Sequence, residues 1–148
     1  MPKGAKYDLV SRQLAALLEG ETDPIARMAN VAAVLHGEFG FWWTGFYRVA
    51  GDELILGPFQ GPVACMHIPF GRGVCGTAWK RNGSVVVPDV EQFPGHIACS
   101  SASRSEIVVP VRDANGTVTA VLDIDSDRPG TFDDVDREWL ERIVRLLV

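Results

Sequence analysis

The sequence predicts an α+β fold: a central antiparallel sheet with the N- and C-terminal helices on one face, and loops and short helices covering a pocket on the other. Three observations carry this reading. Two helical patterns precede any strand, short β-rich runs joined by Gly, Pro, Asn and Asp follow, and one amphipathic helix closes the chain. Strands grouped between helices, rather than alternating with them, argue for an antiparallel sheet with segregated helices.

In chain order, Leu9, Val10, Leu14, Leu17 and Leu18 recur close to helical spacing, predicting a helix over 7–19 that ends at Gly20. Thr22-Asp23-Pro24 supplies an N-cap candidate and a first-turn proline for a second helix, which carries Ile25, Met28, Ala29, Ala32, Val34 and Leu35 and stops between Gly37 and Gly40. The aromatic run 41–49 and the alternating run 53–59 read as a hairpin about Gly51-Asp52. A short strand over 65–68 precedes the loop FGRGVCG, a helix over 76–81 ending at Asn82-Gly83, and a strand over 84–87. The loop 89–104 is long for a compact domain, the kind that usually serves function. Strands over 106–111 and 117–125 are joined by Asp113-Ala114-Asn115-Gly116, and Pro110 marks an edge position or a bulge. A last helix over 133–147 stacks Val135, Trp139, Ile143 and Leu146, with Asp133, Asp134 and Asp136 at its N-terminus.

The bulk properties narrow the function classes. At 148 residues with 47% hydrophobic content, the chain fits one domain over 1–148 with a real core. A net charge of −5 argues against nucleic acid as a partner, since a phosphate-binding surface needs clustered Lys and Arg. No apolar run reaches the ~18 residues that span a bilayer, and MPKGAKYDLVSR lacks the apolar core of a secretory signal, so the expectation is a cytoplasmic protein without a membrane partner. In that compartment an odd cysteine count does not describe a disulfide framework and leaves metal binding, redox catalysis or no special role.

All three cysteines fall between positions 65 and 99, beside glycine, proline or polar residues rather than inside apolar runs. Buried structural cysteines sit in periodic apolar segments. The segment therefore reads as a glycine-hinged, mobile loop region carrying thiol chemistry.

The runs GFY (45–47), LGPFQGPVAC (56–65), GVCG (73–76), PGHIAC (94–99), SEIVVPV (105–111) and VLDIDS (121–126), in this order, resemble the free methionine-(R)-sulfoxide reductases, a family of stand-alone GAF domains. One departure is Ser100, where the family often has an acidic residue after the last cysteine. The resemblance implies reduction of free L-methionine-(R)-sulfoxide, with Cys99 as nucleophile, Cys65 as the principal resolving residue and Cys75 as a secondary partner. It implies no bound cofactor, with thioredoxin or a similar dithiol as electron donor. A homodimer through the terminal helices is the expectation from related GAF domains.

Residue chemistry leads to the same requirements. Reducing a sulfoxide needs a thiolate to attack sulfur, an acid to protonate the departing oxygen, and a second thiol to resolve the sulfenic acid as a disulfide. In VLDIDS, alternation puts Asp123 and Asp125 on one side of a strand with Val121, while Glu106 opens the neighbouring strand. Carboxylates sharing a small cavity cannot all stay ionised cheaply, so one becomes a proton donor while the others can hold the ammonium of a free amino acid. The resemblance implies the same three acids, and an aromatic wall for the substrate's methyl end at Trp42 or Trp43.

Plainer readings compete at each point. A cysteine near glycines is ordinarily a tolerated thiol, and an aspartate pair can be a solvated strand face. His67 and His96 invite a zinc reading with the cysteines, but C-x9-C and C-x23-C lack the short paired ligand motif. His96 otherwise serves as a loop hydrogen-bonder or a cation that lowers the Cys99 pKa, Arg72 reads as a solvated loop charge, and Trp79 and Trp139 read as core or interface residues. The rival from another class is a GAF module that senses a small ligand without turning it over. Such modules are usually tethered to an output domain, for which this length leaves no room.

Overall fold

The computed structural model describes residues 1–97 and 102–148. Among these residues, six strands form one antiparallel sheet in the order β3-β2-β1-β6-β5-β4, comprising β1 (Trp43–Ala50), β2 (Glu53–Gln60), β3 (His67–Pro69), β4 (Val85–Val87), β5 (Ser105–Arg112) and β6 (Val118–Ser126). The α-helices among the described residues are α1 (Lys3–Leu18), α2 (Pro24–Phe39), α3 (Gly73–Arg81) and α4 (Asp134–Val144). The expected α+β architecture is the observed one.

Side-chain alternation splits the sheet between two apolar clusters. Phe46, Ile107, Val109, Val111, Ala120, Leu122 and Ile124 meet Tyr7, Val10, Leu14, Val31, Leu35, Leu140 and Ile143 from α1, α2 and α4. On the opposite face, Trp43, Tyr47, Val108 and Val121 pack with Val74, Cys75 and Ala78 of α3. Thus α3 lies across the face that also carries Asp123 and Asp125.

Local signals explain the α2 boundaries. The Asp23 carboxylate accepts hydrogen bonds from the amides of Ile25 and Ala26, and Gly40 closes the helix at φ 67°. In α3 the stop is Asn82, left-handed at φ 53°. The β5–β6 turn is held by Asp113, whose carboxylate accepts from the amides of Asn115 and Thr117 at 2.9 and 3.0 Å.

Several boundaries moved for reasons that lie in tertiary contacts. Helix α1 begins four residues earlier than its apolar period suggests, because Tyr7 Oη donates to Asp136 Oδ1 at 2.6 Å and Lys3 Nζ reaches Asp136 Oδ2 at 2.7 Å. These bonds dock its first turn on α4. The buried face of α4 is Asp136, Leu140, Ile143 and Val144, while Val135 is exposed. The apolar stripe expected through Val135 is thus rotated to bury the Asp136 carboxylate. Strand β3 starts at His67 rather than at Cys65. Pro110 satisfies both readings given to it: β4 pairs with β5 only from Glu106 to Val108, leaving Pro110 with β6 alone, and a register shift follows at Val111/Arg112.

The largest correction concerns Cys75. GVCG forms the first turn of α3 rather than a loop, and Cys75 is 4% exposed within an apolar cluster. Gly76 permits this seat: a Cβ there would stand 2.8 Å from the Pro69 carbonyl and 3.1 Å from the Gly71 backbone, so the helix start can lie flush on the preceding turn.

Candidate active site

The site is built on the α3 face of the sheet. Register brings Glu106 of β5 opposite Asp125 of β6, and the other edge of β6 places Asp125 opposite Trp43 and Asp123 opposite Gly45 of β1. Trp42, Trp43, Tyr47, Cys75, His96, Ser103, Glu106, Asp123 and Asp125 line one cavity. Both Trp42 and Trp43 are in that lining. Trp43 is 4% exposed, donates from Nε1 to the Pro62 carbonyl at 3.0 Å, and stacks on Phe59 with ring centroids 5.3 Å apart.

Three carboxyl groups meet in this cavity. Glu106 and Asp123 are 5% and 6% exposed, and burial acts on all three. Burial, reinforced by the Asp125 charge, pushes Glu106 up to about 8. Asp123 is raised well above the ordinary carboxylate range by burial and then by Glu106, and Asp125 by burial and then by Asp123. Ser103 Oγ donates to Asp125 Oδ1 at 3.1 Å and partly offsets the rise there. Asp123 Oδ1 is buried without a hydrogen-bond partner among the described residues. A buried orphan acceptor of this kind costs ~1–3 kcal/mol, so it signals a missing partner.

The flanking groups leave this acidity largely uncompensated. His96 Nε2 lies 3.6 Å from Glu106 Oε1, a distance at which an ion pair could form. Burial, however, lowers His96 as it raises Glu106, so near neutral pH the contact joins two uncharged groups. Arg72 is exposed but does line the cavity, which corrects its reading as a merely solvated charge. The cysteine and histidine zinc set is not seen among the described residues: His67 sits exposed on β3 against Glu53, and the one group there with metal-ligand spacing contains neither histidine.

The thiols divide between two states. Cys65 is held in a disulfide, and the carbonyl of the same residue accepts a 2.8 Å hydrogen bond from Tyr47 Oη. Cys75 is a free thiol, pushed well above the usual thiol range by burial and then by Asp123 and Glu106. Its Sγ, one Glu106 oxygen and one Asp123 oxygen lie within 4.8 Å of one another. Cys99, expected as the nucleophile, and Ser100, the residue that departs from the family pattern, lie outside the described residues.

The GAF domain family model matches residues 22–148. The free methionine-R-sulfoxide reductase of Escherichia coli is 47% identical over 148 residues, 99% of this chain and 89% of that protein. An X-ray structure of the free methionine-R-sulfoxide reductase from Neisseria meningitidis in complex with its substrate superposes with a TM-score of 0.96 at 51% identity, covering 99% of this chain and 89% of that one. The chain belongs to the free methionine-R-sulfoxide reductases, a family of oxidoreductases built on the GAF domain. GAF domain-containing protein A of Dictyostelium discoideum is 52% identical over 98% of this chain and 94% of that protein. No helix among the described residues is long and apolar enough to cross a membrane.

Tyr47, Arg72 and Ser103 are polar lining residues that sequence reasoning did not assign to the pocket. Tyr47 looked like one aromatic among several in a β-rich run; its signal was period-two spacing from Trp43. Ser103 falls in a long loop and carries no motif. Arg72 has no sequence signal beyond its place before GVCG.

Proposed function

We propose that this protein reduces free L-methionine-(R)-sulfoxide to L-methionine, using Cys99 as nucleophile and Cys65 as resolving thiol. The observation that carries the reading is the buried cluster of Glu106, Asp123 and Asp125, with the Asp123 Oδ1 acceptor left unpaired beside an aromatic wall. A small zwitterion fits that pairing: its ammonium supplies the missing donors and positive charge, and its methyl end packs on Trp43. Relatives with this activity, and one solved with its substrate, support the same substrate class.

The chemistry runs in three balanced steps. The Cys99 thiolate attacks the sulfoxide sulfur while a protonated carboxyl donates to the oxygen. The sulfur–oxygen bond breaks to release methionine, with the hydroxyl transferred to Cys99 as a sulfenic acid. Glu106, held near pKa 8, retains its proton at neutral pH and has the poise for that donation. The Cys65 thiol then displaces water from the sulfenic acid, forming a disulfide. A dithiol donor such as thioredoxin restores both thiols and leaves as its own disulfide. Cys65 in a disulfide while Cys75 stays a free, buried thiol supports Cys65 rather than Cys75 as the resolving residue.

A pocket that holds the α-ammonium rejects methionine sulfoxide within a polypeptide, where that charge is gone. The test supplies free methionine-(R)-sulfoxide or the N-acetylated form with a dithiol reductant and follows methionine formation. Turnover of the free amino acid alone is expected. Equal turnover of both forms removes the ammonium from the reading, and saturable binding without product favours a ligand-sensing module.

A further inference from the structure

We propose that Cys75, Glu106 and Asp123 form a binding site for a thiophilic divalent cation, Zn2+ in the first instance, and that such a cation excludes substrate from the cavity. The competition clause rests on the ammonium-binding role given above to the same carboxylates; the metal site does not.

Three ligand atoms of the right chemistry converge on one point. Cys75 Sγ, a Glu106 oxygen and an Asp123 oxygen lie within 4.8 Å of one another, donated by α3, β5 and β6 respectively. Zn2+ binds thiolate sulfur at ~2.3 Å and carboxylate oxygen at ~2.0–2.2 Å, so small side-chain rotations draw the three atoms onto one ion. Three protein ligands leave a fourth position to water, the pattern of an open site.

The second observation is Asp123 Oδ1, an acceptor buried on a residue 6% exposed and itself without a hydrogen-bond partner among the described residues, while the same carboxyl group is hydrogen-bonded to Glu106, Cys75 and Asp125. A cation satisfies it directly. Zn2+ also reduces the cost of gathering acidic groups, because its double positive charge offsets most of the negative charge on the two carboxylates and the thiolate it coordinates. Binding is a ligand exchange: the Cys75 S–H bond breaks and an S–Zn bond forms, Glu106 and Asp123 give up whatever protons they hold as their oxygens coordinate, and all of these protons leave to solvent with no change of oxidation state. Zn2+ accepts both sulfur and oxygen ligands, whereas Mg2+ and Ca2+ take oxygen alone, so the thiol makes the site selective against them.

The test uses the oxidised protein, in which Cys65 is already in its disulfide and Cys75 is free. Co2+ is the probe, since a thiolate ligand gives cobalt a charge-transfer band in the near ultraviolet. One equivalent is expected to raise the band, Zn2+ to bleach it, Cys75→Ala to abolish it, and Asp123→Asn to weaken affinity about tenfold or more. Absence of the band in the wild-type protein, or an undiminished band in Cys75→Ala, overturns the site; Cys75→Ser replaces that variant if it does not fold. Free methionine-(R)-sulfoxide is then added without reductant. Displacement of cobalt supports the shared cavity. A band that persists at saturating substrate overturns the competition and the ammonium assignment, while the metal site stands.

Discussion

Glu106 and Asp125 are direct cross-strand partners on β5 and β6, two carboxyl groups opposite each other and facing the same cavity. Like charges directly opposite on a sheet are destabilising, so the pair can fold only by holding at least one carboxyl protonated, at a cost that grows as both ionise. The arrangement therefore costs stability, in keeping with the binding role proposed for it. Replacing Glu106 by Gln should raise the thermal midpoint of the ligand-free protein by a few degrees while raising KM for the sulfoxide at least tenfold. A variant with lower stability and unchanged KM would contradict this.

The same pair makes stability depend on pH in a defined direction. Glu106 rises from an ordinary 4.5 to about 8 on folding, so between these values the folded state binds more protons than the unfolded one. Stability then falls as pH rises through that window, by up to about 1.4 kcal/mol per pH unit for each excess proton, and levels off above it. Denaturant midpoints measured from pH 5 to 9 should show this decline in the wild-type protein. The Glu106→Gln variant should show a shallower one. A wild-type midpoint that climbs with pH across this range would reverse the sign of the argument.

Much of this arrangement was legible in the sequence because period two is strict. Once VLDIDS was taken as a strand, Asp123 and Asp125 had to share a face with Val121, and the observed clusters divide the strand in that way. Helix α2 was legible for a different reason, since Asp23 and Pro24 encode its start locally. Cys75 was misread because glycines on both sides suggested a hinge. In the fold, Gly76 permits close packing instead, a use of glycine that only the neighbouring Pro69 carbonyl reveals. The early start of α1 has the same origin, because its fixing contacts run from Lys3 and Tyr7 to Asp136, more than a hundred positions away.

The Tyr7 to Asp136 hydrogen bond gives a stability prediction separate from activity. It is 2.6 Å long and joins a fully buried ring to a carboxylate 2% exposed, with Lys3 as a second partner. Tyr7→Phe removes one donor and leaves the shape intact, which should lower unfolding free energy by ~1–3 kcal/mol. Neither residue lines the cavity. Chemical denaturation should register the loss, while kcat/KM at a temperature well below the midpoint stays within twofold of wild type.

Removing Cys65 should separate the steps of the proposed reaction. Cys65→Ser lets attack on the sulfoxide proceed but leaves the sulfenic acid unresolved. About one equivalent of methionine should appear per protein and then cease with thioredoxin as donor, whereas a small thiol able to enter the cavity restores turnover. Cys99→Ser should release none. Rapid-quench methionine quantification distinguishes the two, and normal multiple turnover of Cys65→Ser with thioredoxin would refute the resolving role.

Gly45 lies between Trp43 and Tyr47 on β1 and opposite Asp123 on β6, so the aromatic wall and the carboxylates share one backbone position. A Cβ there would overlap Phe59 Cβ and stand 2.6 Å from the Trp43 ring. Neither neighbour is the free end of a flexible chain, since Trp43 stacks on Phe59 and is fixed by its bond to Pro62. Gly45→Ala must therefore push the indole into the cavity or part β1 from β2. Overpacking of this sort costs ~1–3 kcal/mol. If the indole moves, KM for the sulfoxide rises and tryptophan fluorescence shifts, with kcat reduced less than kcat/KM. Unchanged KM together with unchanged fluorescence would show that the wall does not depend on this close approach, and would free Trp43 from the role assigned to it.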